Sequence, residues 1–280
     1  VHFPASVESI GSNLFSGCNK LLTITVDENN AYYANENDAL LNKDKTTLLA
    51  VPAGKSGVYT IPSTVKTIAI RSIFSCARLT NIIFPEGLET IVGDGFTNCT
   101  GLTEINLPAS FRSIGEGAFY GCTNIREINV DSANTTFSSI DGVLFNKAQT
   151  RLVLFPLGRS GTYEVPEGVT SLGNSSFANC DKLTSVTLPS TLTYIGEDVF
   201  LNCRITSITI PSNVTTIEIY AFAGCSNLGT VIMEPTTPPP IWPTTFLSVV
   251  DSFLVPSESV DAYKTAQYWS EYADIITAIS

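Results

Sequence analysis

Apolar residues recur along this chain in a fixed frame of about 23 positions, marked by seven cysteines: Cys18, Cys76, Cys99, Cys122, Cys180, Cys203 and Cys225. The cysteines share a frame with a phenylalanine three residues before and an aliphatic residue usually three after, as in Phe119-Tyr120-Gly121-Cys122 and Phe177-Ala178-Asn179-Cys180. Next comes a short alternation such as Ile105-Asn106-Leu107 or Val186-Thr187-Leu188. Period two predicts a strand with one face buried. Proline follows directly at Pro62, Pro85, Pro108, Pro166, Pro189, Pro211 and Pro256 and ends the strand, because it cannot donate to a ladder. An aliphatic pair such as Val65 and Ile68, or Leu192 and Ile195, leads to the next phenylalanine.

Phenylalanine and cysteine at i and i+3 predict a short helical turn with both side chains inward. Six of the seven residues preceding the cysteines are Gly17, Asn98, Gly121, Asn179, Asn202 and Gly224, types that tolerate the left-handed conformation closing such a turn. No copy can bury its own apolar face, so the copies must stack into a solenoid. The last apolar residues of the predicted strands are Val26, Ile61, Phe84, Leu107, Val130, Val165, Leu188, Ile210, Met233 and Val255, which makes about ten rungs. Two long steps, near residues 27–61 and 131–165, contain Leu40 to Leu49 and Val143 to Leu152, each reading as a hairpin that extends the ladder. Asn42 and Asn146, Cys18 and Cys122, and Cys76 and Cys180 are each 104 residues apart, pointing to duplication of a larger unit.

The frame Ile-x-x-x-x-Phe-x-x-Cys-x-x-Leu-x-x-Ile-x-Leu-Pro, carried by Ile114 through Val130 and, with one residue deleted after Cys203, by Ile195 through Ile210, resembles the BspA-type leucine-rich repeat of bacterial surface proteins. Val143-Leu144-Phe145-Asn146-Lys147 and the ending from Val255-Pro256 to Trp269 are also similar to segments of such proteins. The expected fold is a mainly β repeat solenoid with short helical turns, a leucine-rich-repeat-like right-handed superhelix with a C-terminal cap. Residues 1–235 are expected to form the solenoid, and 236–280 a proline-rich connector, last strand and cap. Ser257 is placed to cap a helix carrying Val260, Tyr263 and Ala266 on one face. The resemblance implies a secreted or cell-surface protein, often lipid-anchored, some of whose relatives are adhesins for host proteins. It offers no shared catalytic residues. Phe3-Pro4-x-x-Val7-x-x-Ile10 matches Ile61-Pro62-x-x-Val65-x-x-Ile68, so further residues, including any export signal, are expected upstream.

Composition narrows the chemistry. Twenty-six carboxylates face fifteen basic groups, which argues against nucleic acid. No apolar run approaches the roughly 20 residues needed to span a bilayer. One histidine, His2, leaves a Ser-His-Asp or Cys-His site without supply, and no Cys-x-x-Cys pair frames a metal. The in-frame cysteines are expected to be free thiols packed in the core. Glu104 and Glu127, predicted on adjacent rungs, are the one formal carboxylate pair for glycoside hydrolysis, but nothing else frames a cleft and the favoured reading is two solvated carboxylates on a strand surface. Asp27, Glu28, Asn35, Glu36 and Asp38 in the first insert invite calcium, with only Asp131 and Asp141 in the second; their spacing matches no defined calcium loop. Sequons stand at Asn98, Asn134, Asn174 and Asn213 and carry little meaning in a bacterial protein.

The outward ladder positions form a stripe, Thr25, Thr60, Ile83, Asn106, Asn129, Glu164, Thr187, Thr209 and Ile232, too irregular to order ice. Ile83, Asn106, Asn129, Thr187 and Thr209 are the candidate ligand-binding face, since solenoids use such extended faces for recognition. Tyr32, Tyr33, Tyr120, Tyr220 and Trp242 are further candidates for stacking on sugars or anchoring proteins. The expected protein is a non-catalytic, monomeric binder of a host extracellular protein or glycan, without cofactor, catalytic or metal site and without membrane insertion. The alternative is a structural spacer presenting an upstream domain.

Overall fold

The structure is a computed structural model that describes residues 1–11, 13–247 and 250–279. The chain forms a β-solenoid and divides into two compact units, Val1–Gly142 and Val143–Ser280.

In the first unit, one set of strands follows the predicted alternations. His2–Phe3 pairs with Thr25–Val26, Gly57–Thr60 with Leu79–Ile83, and Glu104–Leu107 with Glu127–Val130, all parallel. Parallel pairing after a 23-residue step is what one full turn of a solenoid requires. The aliphatic pair builds a second, shorter ladder: Thr67–Ile68, Thr90–Ile91 and Ser113–Ile114 run parallel. The insert attaches here. Tyr33–Glu36, Ala39–Asn42 and Thr47–Ala50 form an antiparallel meander whose last strand pairs in parallel with Thr67–Ile68. Successive turns approach so closely at Gly93 and Gly115 that a Cβ on Gly115 would lie 2.1 Å from the Gly93 nitrogen.

The second unit repeats the scheme. Gly161–Glu164 pairs with Leu183–Thr187, and Ser207–Ile210, Thr230–Met233, Ser252–Val255 and Ile276–Ala278 form a parallel ladder. Its second ladder joins Arg151–Leu154, Ser171–Leu172, Tyr194–Ile195 and Thr216–Ile217, with Val143–Asn146 antiparallel to the first of these. Each unit thus contributes six principal rungs among the described residues, twelve against the ten expected. The additions are His2–Phe3 and Ile276–Ala278, both too short for alternation to reveal.

The expected helical turns are tighter than helices. The cysteine N–H bonds the carbonyl three residues back, at 3.0 Å for Cys122 to Phe119 and 3.1 Å for Cys180 to Phe177. All seven residues preceding a cysteine have positive φ, including Ser75 at 54°. A second left-handed residue stands four positions earlier in every copy: Asn13, Arg71, Asp94, Gly117, Ser175, Asp198 and Tyr220. Two such residues per turn prevent propagation of a right-handed helix. Helices among the described residues are confined to the cap: Ser257–Ser259, Val260–Thr265 and Trp269–Ile275.

The phenylalanine slot fills the core. In the second unit Phe155, Phe177, Phe200, Phe222 and Phe246 stack with centroids 4.9, 5.1, 5.3 and 5.0 Å apart. At Cys76 the frame departs, with buried Ile73 in the slot and Phe74 displaced by one residue. All seven cysteines are free. Six are buried, but Cys18 is exposed, contrary to expectation. Four of the buried thiols bond the preceding copy: Cys99 Sγ donates to Ile73 O, Cys122 to Phe96 O, Cys203 to Phe177 O and Cys225 to Phe200 O, each at 3.0 Å. Burial pushes the Cys225 thiol up to about 12 and Cys180 and Cys203 also above the ordinary range, so these are packing groups.

The cap closes over the proline connector. Side chains of the cap donate to carbonyls of the connector: Tyr263 Oη to Pro235 O and Trp269 Nε1 to Pro239 O, both at 2.8 Å. Ser259 Oγ donates to Thr236 O at 2.8 Å. Ser257 is not the helix cap; its hydroxyl donates to Glu258, a 3₁₀ turn intervenes before Val260, and Ala266 lies past the helix end in extended conformation.

Candidate ladder-face site

The outward positions of the principal strands carry the predicted stripe. In the first unit the register sets Thr60 beside Ile83 and Asn106 beside Asn129. Asn129 Nδ2 donates to Asn106 Oδ1 at 3.2 Å, and Asn106 Nδ2 to Glu104 Oε1 at 3.4 Å. Asn81 Nδ2 also donates to Glu104 Oε1 at 3.4 Å. The result is a connected row of amides across three strands. Asn81 was not among the expected residues. It shares the side of Ile83, two residues on, while the register shift at Gly57/Val58 skips Thr80 and leaves Leu79 and Ile82 as the buried pair. That three-residue spacing was the available signal. Ile83 remains about half exposed, at 49%.

Over this row lies an open depression of about 470 Å³, with Ile83, Asn106 and Asn129 on its lining and the carboxylates Glu86 and Asp131 among its walls. Glu104 and Glu127 are register partners, as predicted. Glu104 is held by two amides, which makes it a hydrogen-bond acceptor in a polar network.

In the second unit the face changes chemistry. Thr187 and Thr209 are exposed and outward, beside Glu164 and Ile232 respectively. The neighbouring column is Thr162, Ser185, Ser207, Thr230 and Ser252, with Ser252 Oγ donating to Thr230 Oγ1 at 3.3 Å. Apart from Glu164 and Ile232 this is a hydroxyl surface, unlike the amide and carboxylate surface of the first unit.

Other candidates resolve into structural roles. Glu36 pairs with Lys45 at 2.9 Å and Asp38 with Lys55 at 2.6 Å, while Asn35 Oδ1 accepts the Val26 N–H. Among the described residues no group of three or more metal-binding side chains gathers. His2 is exposed and bonds Thr25. Tyr33 packs against Phe3, whereas Tyr32, Tyr120, Tyr220 and Trp242 stay exposed. Asn134 is buried with all four hydrogen-bonding positions filled, so its sequon is closed in the folded chain. Among the described residues no helix is long and apolar enough to cross a membrane.

The family model of the BspA type leucine rich repeat region matches in six copies, over residues 1–44, 57–158 and 159–238. No curated protein matches the chain. Among solved structures, a leucine-rich cell-surface protein of Faecalibacterium prausnitzii A2-165 is similar at 22% identity and TM-score 0.66, covering 100% of this chain and 78% of that one. The pneumococcal vaccine antigen PcpA is similar at 18% identity and TM-score 0.59, covering 99% and 76%. A leucine-rich repeat protein of Eubacterium ventriosum is similar at 27% identity and TM-score 0.54, covering 88% of this chain and 58% of that one.

Proposed function

Since the chain belongs to the BspA-type leucine-rich-repeat family, we propose that it is a non-catalytic binding module of a bacterial cell surface, adhesin-like, recognising a host extracellular protein or glycan. The observation that carries this reading is the amide row of Asn81, Asn106 and Asn129 tied through Glu104 beneath an open depression. Amides present donors and acceptors together, and a rigid ladder holds them without ordering cost on binding. The cell-surface protein of Faecalibacterium prausnitzii and the pneumococcal antigen, both of the same fold, support a surface location. The candidate contacts are Ile83, Asn106 and Asn129 in the first unit and, taken separately, Thr187 and Thr209 in the second.

The test is a binding screen of the purified chain against matrix proteins and a glycan array at two salt concentrations. A specific hit lost in the Asn106→Arg/Asn129→Arg double variant, with unchanged thermal stability, supports the reading. A hit that survives this variant places recognition elsewhere, and a screen without hits favours a spacer.

A further inference from the structure

A second constellation lies on the other ladder of the unit Val143–Ser280. The outward positions of its strands are Arg151, Ser171, Tyr194 and Thr216, paired in that order. The counterparts 104 residues earlier, where the frame repeats, are Thr47 for Arg151, Thr67 for Ser171 and Thr90 for Tyr194. Threonine therefore suffices for the fold at these positions, and the ladder does not require a guanidinium or a phenol.

The neighbouring turns supply further departures. Gly173 and Gly196 are buried and leave a shelf on which polar side chains rest: a Cβ on Gly173 would meet Arg151 Nε at 3.0 Å, and one on Gly196 would meet Asn174 Oδ1 at 2.7 Å. Tyr194 Oη donates to Glu218 Oε1 at 3.3 Å. Burial, then the Glu218 charge, hold this phenol above its ordinary range, so it stays a neutral donor. One turn further, Thr245 Oγ1 accepts the Trp242 backbone N–H at 2.9 Å and donates to the Glu218 backbone carbonyl at 3.2 Å, which sets the Trp242 and Glu218 backbones on adjacent turns. The Trp242 side is 49% exposed. Tyr220, two residues from Glu218, is 36% exposed and holds φ at 58°. An aromatic in that region carries a conformational cost that Gly, Asn or Asp in the equivalent turns largely avoid.

A strip of ladder that carries exposed rings, a carboxylate, an amide and a guanidinium on successive turns matches the chemistry of sugars, whose C–H faces stack on aromatics and whose hydroxyls both donate and accept. We propose that Trp242 and Tyr220, with Tyr194, Glu218, Asn174 and Arg151, form a binding site for a neutral oligosaccharide on the second ladder of this unit. The site is independent of the amide row in the other unit.

Trp242 is its own reporter, because the other tryptophan, Trp269, is 1% exposed beneath the cap. The full chain is titrated with maltohexaose, cellohexaose, laminarihexaose, xylohexaose and chitohexaose while tryptophan emission is followed, and hits are confirmed by calorimetry. At least one sugar is expected to shift the emission saturably. Glu218→Gln should weaken it about tenfold, and Trp242→Ala should abolish the calorimetric signal while leaving the circular dichroism unchanged. The Asn106→Arg/Asn129→Arg variant should bind these sugars as the parent does, which separates this site from the proposed ladder face. Absence of binding by all five sugars, or calorimetric binding unchanged in Trp242→Ala, overturns the proposal.

Discussion

Asn134 offers the sharpest test of how the insert is locked to the solenoid. Its side chain is fully buried, and its Nδ2 donates to Pro108 O and Phe111 O at 2.9 Å each. Its Oδ1 accepts from the Thr136 and Phe137 N–H groups at 2.8 Å each. Asn134→Ala removes all four bonds but does not injure the partners equally. Pro108 O keeps the Phe111 N–H, and Phe111 O keeps the Arg112 guanidinium. The two amides are left without an acceptor in the interior, at about 1–3 kcal/mol each, and a small cavity adds to this. The expected destabilisation is therefore about 3–5 kcal/mol. Guanidinium unfolding followed by circular dichroism reads the total, with hydrogen exchange assigning the loss to a unit, because the two compact units need not unfold as one. The Thr136 and Phe137 amides should lose protection first. A change below about 1 kcal/mol, or unaltered protection at these amides, would refute the reasoning. Asn30 makes the same four contacts, with Pro4 O, Val7 O and the Tyr32 and Tyr33 amides, so Asn30→Ala should behave alike.

Two other outcomes follow from the core. In the native chain a thiol reagent should label Cys18 rapidly and the six buried cysteines only on unfolding, with all seven reactive in denaturant without reductant. Raising the pH from neutral to about 9 should not open Cys180, Cys203 or Cys225, since burial holds these thiols above the ordinary range, Cys225 up to about 12, and they remain protonated there; native labelling of any of these three would count against the packing role. Phe200→Ala, which removes a ring stacked between Phe177 and Phe222, should cost about 3–5 kcal/mol in chemical unfolding, and a cost under about 1 kcal/mol would mean the stack is loosely packed.

The 23-residue frame alone determined the solenoid, because a step of constant length with one buried face has no other way to cover its apolar side chains. It located the principal strands from Thr25–Val26 to Ser252–Val255, the hairpins in both inserts, and the outward placement of Ile83, Asn106, Asn129, Thr187 and Thr209. Periodicity reached less far where elements are two or three residues long. The second ladder, His2–Phe3 and Ile276–Ala278 are defined by what they pair with, and pairing partners lie a full turn or more away in the chain. The second left-handed position was hidden because Arg71, Ser175 and Tyr220 share no residue type with Gly117; only the closed turn reveals their common φ. That Cys99, Cys122, Cys203 and Cys225 each meet a carbonyl of the preceding copy is decided by stacking, not by local sequence. Side-chain juxtapositions such as Asn81 with Glu104, or Tyr194 with Glu218, likewise arise between residues about 23 apart that become neighbours only when the turns stack. The sequence carries the repeat because local periodicity encodes which face is buried; the tertiary structure alone decides which surface groups meet, because that depends on register between turns.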